Sequence, residues 1–286
     1  MRKIFLAATA LVLGGIGAAE AADILPPPII DTPVYEPPVV QPVAAAGGWY
    51  LRGDAGYSWH KLRGAEFFQG GLGTYSPFTT AKLRSSYSFG GGVGYQINHR
   101  LRTDVTLDYF SKADFRGSTR GGGAAAGVCA GPCTSSDFSG VSGLSLLANA
   151  YVDLYKHGRF AFYVGGGLGG TRVKWDTLAN TACADDGSGC AGTDYHGGAA
   201  GWRFTYALMA GASVDLTCNL KADVGYRYRN IGGGAMFKSL TSNGYQGFHK
   251  DIQSHEVRGG LRYTFGGCEP EEVYIEPAPV MPAVYK

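Results

Sequence analysis

The 286 residues include 46 glycines and 13% aromatics but only 17% charged residues. Glycine at about twice its usual share, with many aromatics, argues for strands and turns. After the N-terminus no apolar run approaches the ~18 residues of a membrane-spanning helix, so any crossing must use strands. Between Trp49 and Phe265, 22 Lys and Arg stand against 15 Asp and Glu, with no clustering into the basic stripe that nucleic acid requires.

Residues 1–21 carry Arg2 and Lys3, an apolar stretch from Ile4 to Ile16, and Ala19-Glu20-Ala21 as a small-x-small cleavage site. They are expected to be a signal peptide, leaving a mature chain that begins Ala22-Asp23. Residues 22–46 hold Pro26-Pro27-Pro28, Pro33, Pro37-Pro38 and Pro42, and are expected to form an extended arm. Residues 267–286 form a similar acidic tail with Pro270, Pro277, Pro279 and Pro282.

Between the tails, alternation and turn residues predict eight strands. The first, about 48–60, sets Trp49, Leu51, Tyr57 and Trp59 on one face against Tyr50, Arg52 and Asp54 on the other. The second spans about 84–97, with Tyr87, Phe89, Val93 and Tyr95 opposite Ser86, Ser88 and three glycines. The third, about 100–110, opposes Leu101, Val105 and Leu107 to Arg102, Asp104 and Asp108, and the fourth, about 143–155, opposes Leu144, Leu146 and Val152 to Asn149 and Asp153. The fifth, about 160–175, loses its alternation across Gly165-Gly166-Gly167, which allows a bulge there. The sixth, about 201–216, sets Trp202, Phe204 and Leu208 against Arg203 and Asp215. The seventh, about 220–230, sets Val224, Tyr226 and Tyr228 against Lys221, Asp223, Arg227 and Arg229. The eighth, 256–265, places Val257, Leu261, Tyr263 and Phe265 opposite Glu256, Arg258 and Arg262.

Connections alternate in length. Asn98-His99, Lys156 to Arg159 and Thr217 to Asn219 are tight, whereas 61–83, 111–142, 176–200 and 232–250 are long. An even-stranded outer-membrane barrel has this sorting, with short turns and both termini in the periplasm and long loops outside. The apolar faces then meet lipid. Trp49 falls at the periplasmic interface and Trp59, Trp175 and Trp202 at the outer one, as aromatic girdles.

The run Gly48-Trp49-Tyr50-Leu51-Arg52-Gly53-Asp54-Ala55-Gly56-Tyr57 and the closing Arg258-Gly259-Gly260-Leu261-Arg262-Tyr263-Thr264-Phe265 follow a signal peptide and a Pro-rich arm. Together these resemble the small outer-membrane beta-barrel ("porin family") proteins of alphaproteobacteria, related to the OmpA membrane domain and Opa-type barrels. The resemblance implies that Phe265 is the signal read by the barrel-assembly machinery, although here a tail follows it. It also implies that the Ala22 amino group is joined to peptidoglycan, as related barrels beginning Ala-Asp are.

The expected architecture is therefore all-β: an eight-stranded antiparallel up-and-down transmembrane barrel over residues 47–266, flanked by periplasmic tails. Its inward charges are Arg52, Arg102, Arg203, Lys221, Arg227, Arg229, Arg258 and Arg262 against Asp54, Asp104, Asp108, Asp153, Asp215, Asp223 and Glu256. Eight strands leave room only for side chains, so these groups are expected to pair and plug the lumen, with a narrow ion path as the alternative. Topology suggests disulfides Cys129–Cys133, Cys183–Cys190 and Cys218–Cys268; a metal site is the other reading of the cysteines. The six histidines are dispersed and no nucleophile motif is present, so no enzyme, cofactor or metal is expected.

The leading function is structural, as a monomeric barrel supporting the envelope through outer-membrane lipid, lipopolysaccharide and peptidoglycan. Lys61, Arg63, Lys82, Arg84, Arg172 and Lys174, near the outer rim, suit lipopolysaccharide phosphates. The alternative is an adhesin or a receptor for haem or a host ligand, acting through the long loops; a small-channel porin is the third reading.

Overall fold

A computed structural model describes residues 48–69, 74–122, 131–240 and 243–266. The signal peptide, the arm with Ala22, the C-terminal tail with Cys268, and Cys129 lie outside the described residues. Among the described residues fourteen strands follow in chain order: β1 (Gly48–Arg63), β2 (Glu66–Gln69), β3 (Thr74–Pro77), β4 (Thr80–Leu83), β5 (Ser86–Gln96), β6 (Leu101–Ser118) and β7 (Arg120–Gly122). The remainder are β8 (Pro132–His157), β9 (Phe160–Trp175), β10 (Leu178–Ala184), β11 (Cys190–His196), β12 (Ala200–Asp215), β13 (Leu220–Lys238) and β14 (Tyr245–Thr264).

Eight of them close a ring in the order β1, β5, β6, β8, β9, β12, β13, β14, every neighbouring pair antiparallel, with β14 returning to β1. Closure leaves this ring without a free edge, so its backbone groups are paired within the wall, the condition for lying in lipid. Side chains alternate across the wall in the inverse of a soluble protein. Leu51, Phe89, Val93, Val105, Leu107, Leu146, Phe162, Leu208, Val224, Val257 and Leu261 are exposed on the outer face, while Arg52, Arg102, Asp104, Asp108, Arg227 and Glu256 are buried inside. Trp49, Trp59 and Trp202 face outward near strand ends.

The strands join through tight turns at one end, the short-turn end. Asn98 Oδ1 accepts from the Arg100 and Leu101 amides, and Thr217 Oγ1 accepts from the Asn219 and Leu220 amides, so each side chain closes its own turn. Gly158 has φ 56°, which only the β8–β9 turn demands of it.

At the other end the expected long connections are themselves largely strand. The segment 61–83 contains the end of β1 with β2, β3 and β4; 176–200 contains β10 and β11; 111–142 and 232–250 continue β6, β8, β13 and β14. A bilayer crossing needs only ~9–11 residues, whereas β8 has 26 and β14 has 20. The surplus builds a β-tower on the ring.

Two further expectations fail for one reason. The register of β9 with both neighbours runs without a shift through Gly165, Gly166 and Gly167, so no bulge interrupts the alternation there. The face that begins at Ala161 and Tyr163 therefore carries through to Trp175, which points inward and is only 2% exposed instead of lying in the outer girdle. A register shift does occur in β6 between Phe110 and Ala113, and it turns Ala113 and Phe115 inward beside Phe110.

Candidate functional site

The lumen is filled in layers. At the short-turn mouth, Asp215 pairs with Lys221 at 2.6 Å and with Lys156 at 3.3 Å. Deeper, Arg262 pairs with Asp223 at 3.2 Å and Arg102 with Asp153 at 2.6 Å. The Arg102 guanidinium also lies between the Tyr151 and Tyr163 rings, 4.6 and 4.5 Å from their centroids. In the next layer Arg52 joins Asp54 at 2.8 Å and Asp104 at 3.0 Å, and Arg258 reaches Asp54 at 2.5 Å. Above them Arg227 bridges Asp108 at 2.8 Å and Glu256 at 3.0 Å, and Arg229 approaches Glu256 at 3.4 Å.

Six guanidiniums, Arg52, Arg102, Arg227, Arg229, Arg258 and Arg262, thus meet six carboxylates, Asp54, Asp104, Asp108, Asp153, Asp223 and Glu256. Equal numbers matter because an uncompensated buried charge costs several kcal/mol, while a paired and hydrogen-bonded one is tolerated. Neutral donors complete the lattice: Asn149 donates to Asp104 at 2.7 Å, Ser58 to Glu256 at 3.2 Å and Tyr50 to Asp104 at 3.1 Å. Glycine makes room for it. A Cβ on Gly90 would lie 2.2 Å from Asp108 Oδ1, and one on Gly167 2.0 Å from Asn149 Oδ1.

Of the expected network, Arg203 is the exception. It stands above this lattice, its guanidinium donates to the Trp202 and Ala235 carbonyls at 3.3 and 3.4 Å, and it enters no ion pair among the described residues. The register carries Arg203 to the Gly170–Thr171 and Gly232–Gly234 level, where β9 and β13 offer no acid.

Over the charges lies a hydroxyl layer, with Ser145 and Thr205 each 2.8 Å from Thr171. An aromatic plug follows: Phe110, Phe115, Val141, Val173, Trp175, Leu178, Ile231, Met236, Phe237 and Ile252 form one buried cluster. Phe115 packs edge-on to Phe78 and Trp175, and Trp175 to Phe237. Sequence reasoning missed this plug because Phe115, Val141, Leu178, Met236 and Phe237 lay in segments taken as loops and Trp175 was assigned to the outer face; the available signal was continued alternation after residue 110, in Lys112, Asp114 and Arg116 against Ala113 and Phe115.

At the apex a cavity of about 180 Å³ is lined by residues including Phe67, Gln69, Ser135, Asn180, Asp194 and His196. Below its wall Asp137 is buried, accepting from Ser135 and Asn180, with no ion-pair partner among the described residues. Burial pushes its carboxyl up. Cys183 and Cys190 are disulfide-bonded across the β10–β11 hairpin, Cys218 is also disulfide-bonded, and Cys133 is buried on β8.

An inverted barrel with a filled lumen defines the class: a β-barrel built for the outer membrane. Residues 8–265 match the model of the outer membrane protein beta-barrel domain, and the chain belongs to that family. It is 34% identical over 282 residues to an uncharacterized protein of Brucella abortus (strain 2308), covering 89% of this chain and 95% of the relative. It is 27% identical over 222 residues to a protein of Rickettsia bellii (strain RML369-C) named "Putative adhesin", covering 75% of this chain and 87% of that one. Among solved structures, Neisserial surface protein A is similar at 18% identity and TM-score 0.42, covering 77% of this chain and 99% of that one.

Proposed function

We propose that this protein is a non-conducting outer-membrane barrel that displays a rigid β-tower outside the cell for contact with another surface, with the short-turn end and both termini in the periplasm. The observation that carries the reading is the tower: seven of the eight ring strands have 16 to 26 residues, most of the surplus at one end, packed around an aromatic core. Anchoring in lipid requires only the ring. An ordered projection stapled by Cys183–Cys190 suits recognition, and the name of the Rickettsia relative agrees with an adhesive role.

The test is display of the full chain on a non-adherent Gram-negative strain, beside a variant whose residues 179–195 are replaced by a short Gly-Ser linker. Equal surface expression with adhesion lost in the variant is the expected result. Equal adhesion of both, or adhesion by neither, would overturn the reading.

Envelope attachment is the second reading. Lys61, Arg63, Arg172 and Lys174 are exposed beyond the outward apolar residues of β1 and β9, a height suited to lipopolysaccharide phosphates. Ala22, outside the described residues, would be the peptidoglycan attachment point, and Phe265 the assembly signal. Mass spectrometry of muramidase-digested sacculi tests the link: an N-terminal peptide recovered only with a free Ala22 amine excludes it.

A further inference from the structure

In the lattice six guanidiniums meet six carboxylates, but Arg203, the next inward cation above them, meets none. Asp251, the acid of β14 at this level, opposes Arg63 on β1 and enters no ion pair among the described residues. The backbone nevertheless makes room for the cation. The Arg203 side chain lies against Gly234, where an added Cβ would sit 2.1 Å from Cζ, and Gly234 is the register partner of His249. The terminal nitrogens of Arg203 donate to the Trp202 and Ala235 carbonyls at 3.3 and 3.4 Å, long for a charged donor, and its buried Nε–H has no acceptor.

Two neighbours share this lack. His249 is 4% exposed; the Asp251 backbone lies near its ring, but neither ring nitrogen completes a hydrogen bond. Trp175 is 2% exposed, its ring centroid lies 5.9 Å from that of His249, and its Nε1–H has no acceptor. Arginine and tryptophan nitrogens can only donate, and an imidazole supplies at least one donor. Side chains from β9, β12 and β14 thus gather donors and one positive charge, with nothing to accept from them among the described residues. Buried polar groups nearly always have partners, so orphans collected in one place indicate an acceptor that the protein does not itself supply. Water is a poor candidate. It brings two donors of its own that would need acceptors here, and it leaves the Arg203 charge without a counter-charge, whereas an anion only accepts.

We propose that Arg203, His249 and Trp175 hold one small monovalent anion of the halide class, between the hydroxyl layer and the aromatic plug. A single negative charge matches the single unpaired guanidinium and brings the buried interior into balance. The inference is independent of what the tower contacts.

The full chain in detergent micelles tests this, because one ligand is also a fluorophore. In the background Trp49→Phe/Trp59→Phe/Trp202→Phe, Trp175 is the sole tryptophan. Bromide, a heavy-atom quencher that would take the anion's place, should quench it with a saturating dependence on concentration at constant ionic strength. Acrylamide, neutral and larger, should quench it little. Arg203→Met in this background should abolish the saturating phase while protection from acrylamide stays, and Arg203→Lys should keep that phase with a several-fold weaker apparent affinity. Should Arg203→Met expose Trp175 to acrylamide, His249→Phe is the second variant, and it too should weaken bromide binding several-fold. Crystals soaked in bromide should show an anomalous peak within hydrogen-bonding reach of Arg203 Nε and Trp175 Nε1. Quenching that rises linearly without saturation, a saturating phase unchanged in Arg203→Met or in His249→Phe, or an ordered water without anomalous signal at that place would each overturn the proposal.

Discussion

Replacing Glu256 by Gln should destabilise the barrel far more than its few contacts suggest. Glu256 is 2% exposed, faces Arg227 at 3.0 Å and Arg229 at 3.4 Å, and accepts from Ser58. Glutamine keeps the shape but leaves six guanidiniums against five carboxylates. Removing one partner of a buried pair costs about 3–5 kcal/mol, because the other charge stays behind. Arg227 retains Asp108, so the stranded charge is mainly that of Arg229, whose remaining hydrogen bond is to Ser145 at 3.0 Å. The double variant Glu256→Gln/Arg229→Met removes one charge of each sign and should recover about 2–3 kcal/mol of that loss. Equilibrium urea unfolding in vesicles, followed by tryptophan fluorescence, measures both. A single-variant cost below about 1 kcal/mol, or a double variant costing the sum of the two singles, would refute charge balance as the organising feature of the lumen.

Planar-bilayer recordings should show no openings of porin size, and Trp175→Ala should not create them, because the ion lattice lies beneath the plug. Phe115→Ala should cost about 3–5 kcal/mol, since the ring is fully buried among Phe78, Trp175 and Phe237 and the walls cannot collapse onto the space; proteolytic susceptibility of the tower reports it. Burial and the neighbouring Arg203 charge hold the His249 imidazole in the tower down at about 4. A lowered folded value means the unfolded state takes up the proton first, so stability falls as pH drops from 6.5 toward 4. Between pH 7 and pH 5 the loss from this group is about 2 kcal/mol; hydrogen exchange of tower amides should register it, and His249→Phe should reduce the pH dependence.

Eight wall strands, their sidedness and fifteen inward charges were legible in the sequence because a barrel wall imposes a strict period of two, and lipid reverses its polarity. Val257 to Phe265 on one face and Glu256 to Arg262 on the other needed no tertiary information. The tower was not legible in the same way. Short β2, β3, β4 and β7 have no repeat long enough to register, and the shift between Phe110 and Ala113 exchanges the two faces of β6 partway along. Trp175 was misplaced because three glycines blank out the pattern that would have carried the count of faces from Ala161 upward. Arg203 resembles its inward neighbours in sequence, and only the register reveals that carbonyls surround it. Chemical identity gives the face; height along the barrel has to come from pairing.

That β8 is one continuous strand from the apex to the short-turn end has a mechanical consequence. Its hydrogen bonds to β6 and β9 run perpendicular to the strand, so a tensile load applied at the tower along β8 stretches many of them together, in shear. Peeling would break them one by one at much lower force. A tower carried by separate hinged loops would yield at its joints, whereas this one passes the pull directly into the part of the wall that lipid surrounds.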